Sequence, residues 1–96
     1  MNLTSKQRKF LKSKAHHLKP TVLVGKNDIN QGVITSIDES LNTNELIKVK
    51  FHEGKMTEDR KKTIAESLEC EIAGCIGKTM ILFRQKKDKD KQKIKF

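Results

Sequence analysis

The chain has no Trp and no Tyr, a single Pro, two Cys and four Phe in 96 residues. So few aromatics argue against a wide apolar ligand pocket and against a base-stacking sheet of the RRM type. Cys70 and Cys75 are too few for a disulfide framework, and reduced thiols are expected. No run approaches the ~20 apolar residues of a membrane-crossing helix. The opening MNLTSKQRKF lacks the apolar segment of a signal peptide. A cytoplasmic location with no membrane partner is therefore expected. No Ser/His/Asp set, no carboxylate pair with supporting bases and no Walker-type loop is present. The scattered Asp and Glu read as helix-surface charges, so neither enzymatic activity nor a small-molecule substrate nor a cofactor is expected. His16 and His17 are adjacent and point about 100° apart on a helix. His52 is alone, and Cys70-x4-Cys75 has no second pair, so no metal site is expected.

What the chain does have is positive charge, and it is segregated. Residues 1–20 hold six bases and no acid, residues 21–84 nine bases against ten acids, and residues 85–96 six lysines against two aspartates. The net charge of +9 therefore lies at the two ends. Solubility alone does not require that pattern, and a basic patch reads first as a site for nucleic acid or an anionic surface. The length allows one small domain, burying roughly 60–65% of its unfolded surface.

Periodicity gives the order of elements. Thr4 or Ser5 caps a first helix reaching about Leu18. Leu3, Phe10, Leu11, Ala15 and Leu18 share one arc of it, and Arg8, Lys9, Lys12, His16 and Lys19 share the opposite arc. Lys14 sits near the apolar side and is expected to snorkel. Pro20 is read as the stop, since the residue before proline leaves the α region. TVLV is a short strand, and a second helix runs from about Ile29 to Leu41 with Val33 and Ile37 between. LIKVKF alternates Ile47, Val49 and Phe51 with Lys48 and Lys50, as a half-buried strand does. HEGK turns the chain, and Thr57 caps a third helix whose inner face is Ile64, Ala65 and Leu68. CEIAGCIG and TMILFR are two strands joined tightly at Gly77–Lys78. QKKDKDKQKIKF is low in complexity and highly charged, so disorder is expected from residue 85 on. The result is an α/β fold, α-β-α-β-α-β-β, with a four-stranded mixed sheet and three helices.

At residues 25–28 an apolar strand leaves through Gly25 into Lys26, Asn27 and Asp28 just before a helix. Unsatisfied N–H groups at a helix start favour anions, and glycine permits close approach. Alone, the corner is weak evidence. The wider pattern is specific: LTSKQRKFLKSKAHHLKP, VGK, NELIKVK and IGKTMILFR together resemble the CRS1–YhbY family, the CRM RNA-binding domain in its stand-alone bacterial form, over residues 3–84. The resemblance implies the fold read above, similar to the C-terminal domain of bacterial translation initiation factor three. It implies association with precursors of the large ribosomal subunit, as in bacterial members, whereas plant relatives act in group II intron splicing. It also implies that the GxxG loop after the first strand contacts RNA, as the KH loop clamps a backbone. Here the second glycine of that loop is Asp28, which is expected to cap helix two with Gln31 and to repel phosphate.

The expectation is thus a non-enzymatic, monomeric RNA-binding protein acting on ribosomal RNA of the large-subunit precursor, mainly through phosphates. Its contacts are expected from Gly25, Lys26 and Asn27, from Arg8, Lys9, Lys12, His16 and Lys19, and from Lys48, Lys50 and Arg84, with Lys86 and Lys87 nearby. Two alternatives remain open: a basic adaptor docking on an acidic protein, and a non-specific nucleic-acid binder. The tail is either a solubilising extension or a further RNA contact.

Overall fold

Alternation along the strands sends apolar side chains to both faces of one sheet, and the helices divide accordingly. The computed structural model describes residues 3–25, 29–52 and 57–94. It contains α1 (Ser5–Ala15), β1 (Val22–Val24), α2 (Gln31–Thr43), β2 (Leu46–Phe51), α3 (Glu58–Leu68), β3 (Glu71–Ile76) and β4 (Thr79–Phe83). The strands lie in the order β1-β2-β4-β3, with β1 parallel to β2 and β4 antiparallel to both its neighbours. Val22, Val24, Ile47, Val49, Phe51, Met80 and Leu82 face α2 and α3, which supply Ile37, Leu41, Ile64 and Leu68. On the other face Leu46, Ala73, Ile81 and Phe83 meet Leu3, Leu11 and Ala15. Each fully buried aliphatic side chain contributes roughly 1.5–3 kcal/mol, so α1 is anchored by few residues and leaves most of its surface to solvent.

Local signals set the boundaries. Thr4 caps α1 in a reciprocal capping box with Gln7: the Gln7 N–H donates to Thr4 Oγ1 (3.1 Å) and the Thr4 N–H to Gln7 Oε1 (2.9 Å). Thr57 caps α3 by accepting from the Arg60 N–H (3.2 Å), with Glu58 and Asp59 in the first turn, where the helix dipole favours acids. Gly77 turns the β3–β4 hairpin at φ +57°, which glycine adopts without strain.

The structure corrects four expectations. Helix α1 ends at Ala15, not Leu18, because the chain tightens into a turn in which the Leu18 N–H reaches Ala15 O (2.9 Å). Leu18 is consequently 40% exposed; Phe10, inside the helix but about 100° round from the buried Leu11, is equally exposed and not core. Lys14 lies over the Phe10 ring, its ammonium 5.2 Å from the centroid. The N-cap of α2 is Asn30, whose Oδ1 accepts from the Val33 N–H (3.0 Å). Gln31 is therefore the first residue of the helix and not the third, and the Asp28 of the expected box lies outside the described residues. Finally, residues 85–94 fold back on the domain instead of trailing away. Glu45, only 5% exposed, accepts from the N–H groups of Lys86 (2.7 Å), Lys93 (2.7 Å) and Ile94 (2.9 Å), and Ile94 packs on the α1-side core. These backbone bonds outweigh the tendency of a charged segment to stay solvated.

Candidate nucleic-acid interface

The exposed side of α1 is built from what its buried side leaves over. Leu11 and Ala15 are fully buried against the sheet, which turns Arg8, Lys9, Lys12 and His16 to solvent. The helix has no acid in its first turn. Among the described residues none forms an ion pair with Arg8, Lys9, Lys12 or Lys19. Arg8 and Lys12 stand one turn apart as a like-charge pair, and Lys6 occupies the positive end of the helix dipole. Both features cost helix stability, so this concentration of charge is not explained by folding. His16 is the C-cap of α1, and its ring meets that of His17 edge to face, 5.3 Å between centroids. Lys19 lies beyond the helix and so leaves the arc drawn for it; it is exposed in the connection to β1.

Register places the β2 lysines on the same face of the sheet as α1. Lys48 pairs with Ile81 of the α1-side core, and Lys50 with Thr79 and Leu23. Lys12 lies at the opposite flank: its aliphatic stem crosses Gly74, where an added Cβ would meet Lys12 Cε at 2.4 Å. Gly74, Ile81 and Lys48 share one row across β3, β4 and β2, so Lys12 and Lys48 are about two strand spacings, or ~10 Å, apart. The two groups bracket the helix and present their charges to either side of it.

Gly25 follows β1 at the end of the sheet where β2 finishes. The His52 N–H donates to Val24 O (2.9 Å), and Lys78 Nζ donates to His52 O (3.2 Å). Gly25 does not have a positive φ, and a Cβ there would touch nothing within 4 Å. Neither backbone strain nor crowding in the fold requires glycine at this point, so its effect is to leave the backbone accessible. After Asn30 caps Val33, the Gln31 and Gly32 amides still have no intrahelical acceptor. Lys26, Asn27 and Asp28 lie outside the described residues.

Arg84 is not brought to this face. Its Nη1 donates to Asp38 Oδ1 (2.8 Å) and Leu68 O (2.9 Å), and its Nη2 to Asn42 Oδ1 (2.9 Å) and Asp38 O (3.1 Å). It ties the end of β4 to α2 and α3, and the ion pair with Asp38 takes up its charge. Lys86 is likewise engaged, donating from Nζ to Asn42 O, whereas Lys87 is exposed.

Two residues escaped the sequence reading. Lys78 stands at the Gly25 end of the sheet, and the GK pair of its hairpin repeats the GK of the corner. Glu45 gave no local signal, because its partners come from residues 86–94. Burial pushes the Glu45 carboxyl up, but the N–H groups of Lys86, Ile94 and Lys93 and the charge of Lys86 outweigh it and hold the pKa below the ordinary value. Burial raises the Cys70 thiol to about 11, despite the nearby Arg84 charge, so it stays protonated at neutral pH. Among the described residues no group of three or more His, Cys, Asp or Glu is placed to hold a metal ion, and no helix is long and apolar enough to cross a membrane.

Comparison with known proteins places the chain in a family and bears out its fold. Residues 3–84 match the model of the CRS1 / YhbY (CRM) domain. Over 90 residues the chain is 40% identical to the Probable RNA-binding protein YqeI of Bacillus subtilis, covering 90% of this chain and 92% of that one. It is 37% identical over 86 residues to an RNA-binding protein of Haemophilus influenzae, covering 85% of each. The solution structure of the hypothetical protein SAV1595 from Staphylococcus aureus superposes with a TM-score of 0.74 at 34% identity, covering 98% of this chain and all of that one. With a family match over residues 3–84 and a solved relative that shares its fold over nearly the full length, the chain belongs to the CRS1/YhbY (CRM) domain family, whose RNA-binding members are non-enzymatic.

Proposed function

We propose that this protein binds RNA by its phosphates, and that its target is ribosomal RNA in the precursor of the large ribosomal subunit, whose assembly it assists. The observation that carries the reading is α1: a helix with no acidic residue, whose exposed bases lack ion pairs among the described residues. Such charges are explained by an external polyanion. Arg8, Lys9, Lys12 and His16 contact it on one flank of α1, Lys48 and Lys50 on the other, and Lys19 where the chain enters β1. The Gly25–Lys26–Asn27 corner, with Lys78 beside Gly25, holds backbone phosphate at the end of the sheet. These contacts position RNA without reading its sequence. The names of the relatives support RNA as the polyanion, and the family resemblance supports the large-subunit precursor. Binding of this kind weakens with salt by about 0.7 in log–log slope per neutralised phosphate for single strands. Crosslinking in cells, followed by sequencing of the bound RNA, tests the target. Enrichment of large-subunit precursor RNA is expected. Association that survives nuclease, with an acidic protein as its partner, would replace this reading with the adaptor.

A further inference from the structure

The segment after β4 is a closed loop with a carboxylate at its neck. Glu45 Oε2 accepts from the Lys86 N–H on one stalk, and Oε1 from the Lys93 and Ile94 N–H groups on the other. The stalks also hold each other: Gln85 Nε2 donates to Ile94 O (3.1 Å), and Gln92 Nε2 to Lys86 O (2.7 Å). At the tip, Asp88 Oδ1 accepts from the Asp90 N–H (3.0 Å) and shapes a 3-10 turn at Lys89–Lys91. Backbone and glutamine groups do the closing. Among the described lysines of the loop, only Lys86 contributes a side-chain bond, to Asn42 O. Lys87, Lys89, Lys91 and Lys93 are exposed and, among the described residues, form no ion pair.

We propose that this clasped loop is a second, pre-formed contact for RNA phosphates, with Glu45 as the residue that positions it. The proposal rests on the RNA reading above and extends it to a part of the molecule which that reading leaves out. A solubilising extension needs no fixed conformation, and ordering such a segment is entropically unfavourable. Here a buried carboxylate is committed to main-chain N–H groups and, among the described residues, forms no ion pair with Lys87, Lys89, Lys91 or Lys93, which leaves their ammonium groups available to an anion. The clasp also fixes where they act. Glu45 precedes β2 and Gly25 follows the parallel β1, so the loop and the corner lie at opposite ends of the sheet. At ~3.3 Å per residue along a six-residue strand the separation is about 20 Å. The ligand that joins them is an A-form RNA helix at least ~20 Å long, several base-pair steps.

The test uses the full chain and two RNA stem-loops, with stems of about four and about twelve base pairs, only the longer able to span both ends. Changing Lys87, Lys89, Lys91 and Lys93 together to Gln is expected to weaken long-stem binding roughly tenfold at ~0.1 M salt and to lower the salt slope by ~2–3, while short-stem binding changes less than about twofold. Long-stem binding equal to wild type overturns the loop contact and leaves the RNA reading intact. A wild-type protein that binds neither stem overturns both. Glu45→Gln keeps every lysine and raises the net charge by one, yet it is expected to weaken long-stem binding by roughly threefold, because the loop is no longer pre-organised. Equal or tighter binding by that variant overturns the clasp and makes the lysines a flexible tether. If Glu45→Gln loses its cooperative melt, Ile94→Asn, which frees the outer stalk without altering charge, is read in the same way.

Discussion

Arg84 and Arg8 are the same residue type in opposite circumstances. Arg84 makes four hydrogen bonds to Asp38, Leu68 and Asn42, while Arg8 forms no ion pair among the described residues. Arg84 and Glu45 have their charges matched internally: a guanidinium on a carboxylate, a carboxylate on three amides. The α1 face leaves its cations to solvent. Where a charge is half-buried and bonded it holds elements together, and removing it exposes partners that have lost their donor. Where it is exposed and unpaired it contributes little to folding and stays available to a polyanion. Stability and binding are therefore separable between Arg84 and the α1 bases, where substitutions should move different observables, whereas Glu45, through the loop it clasps, bears on both.

The largest effect is expected from Arg8→Ala/Lys9→Ala/Lys12→Ala. RNA affinity should fall by roughly tenfold or more at ~0.1 M salt, with the salt slope reduced by about 2. The urea midpoint should correspond to a stability within about 0.5 kcal/mol per site of the wild type. Gel shifts at several salt concentrations, beside urea melts, read both. Unchanged affinity would break the comparison at its binding side. Arg84→Ala is the mirror image. It should lose ~2–3 kcal/mol of stability in urea melts and leave the dissociation constant of the folded protein within about twofold, since a phosphate contact would have changed it more. A large loss of affinity without loss of stability would return Arg84 to the interface.

The fold was legible because its determinants are local. Apolar spacing drew the helices and strands, Thr57 and its acids marked the start of α3, and Gly77 marked the hairpin. What escaped depends on distant partners. Asp38 and Asn42 precede Arg84 by some forty residues in the chain, and nothing near residue 84 shows that they will meet its guanidinium. Glu45 reads as one more loop acid until residues 86–94 return to it. For the same reason composition misjudged the tail: its charge argues for solvation, but its backbone amides have an acceptor elsewhere. Leu18 was misplaced for another reason, because a helical wheel holds only as far as the helix does, and α1 stops at Ala15; Phe10 lies inside α1, at the edge of an arc that buries only Leu11 and Ala15. Of the candidate site, the α1 arc and the β2 lysines could be named from sequence, but their position on either side of the helix required the sheet register.

Glu45 sharpens the comparison through pH. Its folded pKa lies below the ordinary carboxylate value. The stability it confers is therefore present above the unfolded value of ~4.3 and is lost as pH falls through the lower folded value. Near pH 7, Glu45→Gln should cost ~1–3 kcal/mol, because a side-chain NH2 replaces one oxygen that accepts an amide. Other carboxylates titrate over the same range, so the informative quantity is the difference between wild type and variant in urea melts. It should shrink as the solution is acidified below ~4. A difference that stays constant with pH would mean that charge is not what holds the loop.

The smallest effect concerns the contact between the two groups of features, where the stem of Lys12 crosses Gly74. A methyl at that position would meet Lys12 Cε at 2.4 Å, so something must move. The atom in the way belongs to the far end of a flexible side chain, and Lys12 can swing outward without disturbing α1 or β3. Gly74 does not have a positive φ, so alanine fits the backbone and removes conformational freedom from the unfolded chain, a gain of ~0.4–1 kcal/mol. Lost contact of the lysine stem with the sheet offsets part of that gain. Gly74→Ala should therefore lie within about 0.5 kcal/mol of wild type in urea melts. Its RNA affinity should change by less than about threefold, because phosphate attraction depends mainly on charge and a displaced ammonium keeps it. A loss of affinity as large as that of Lys12→Ala would show that the sheet fixes the Lys12 ammonium in place for a particular phosphate, and that this flank of α1 is pre-organised as firmly as the Arg84 end.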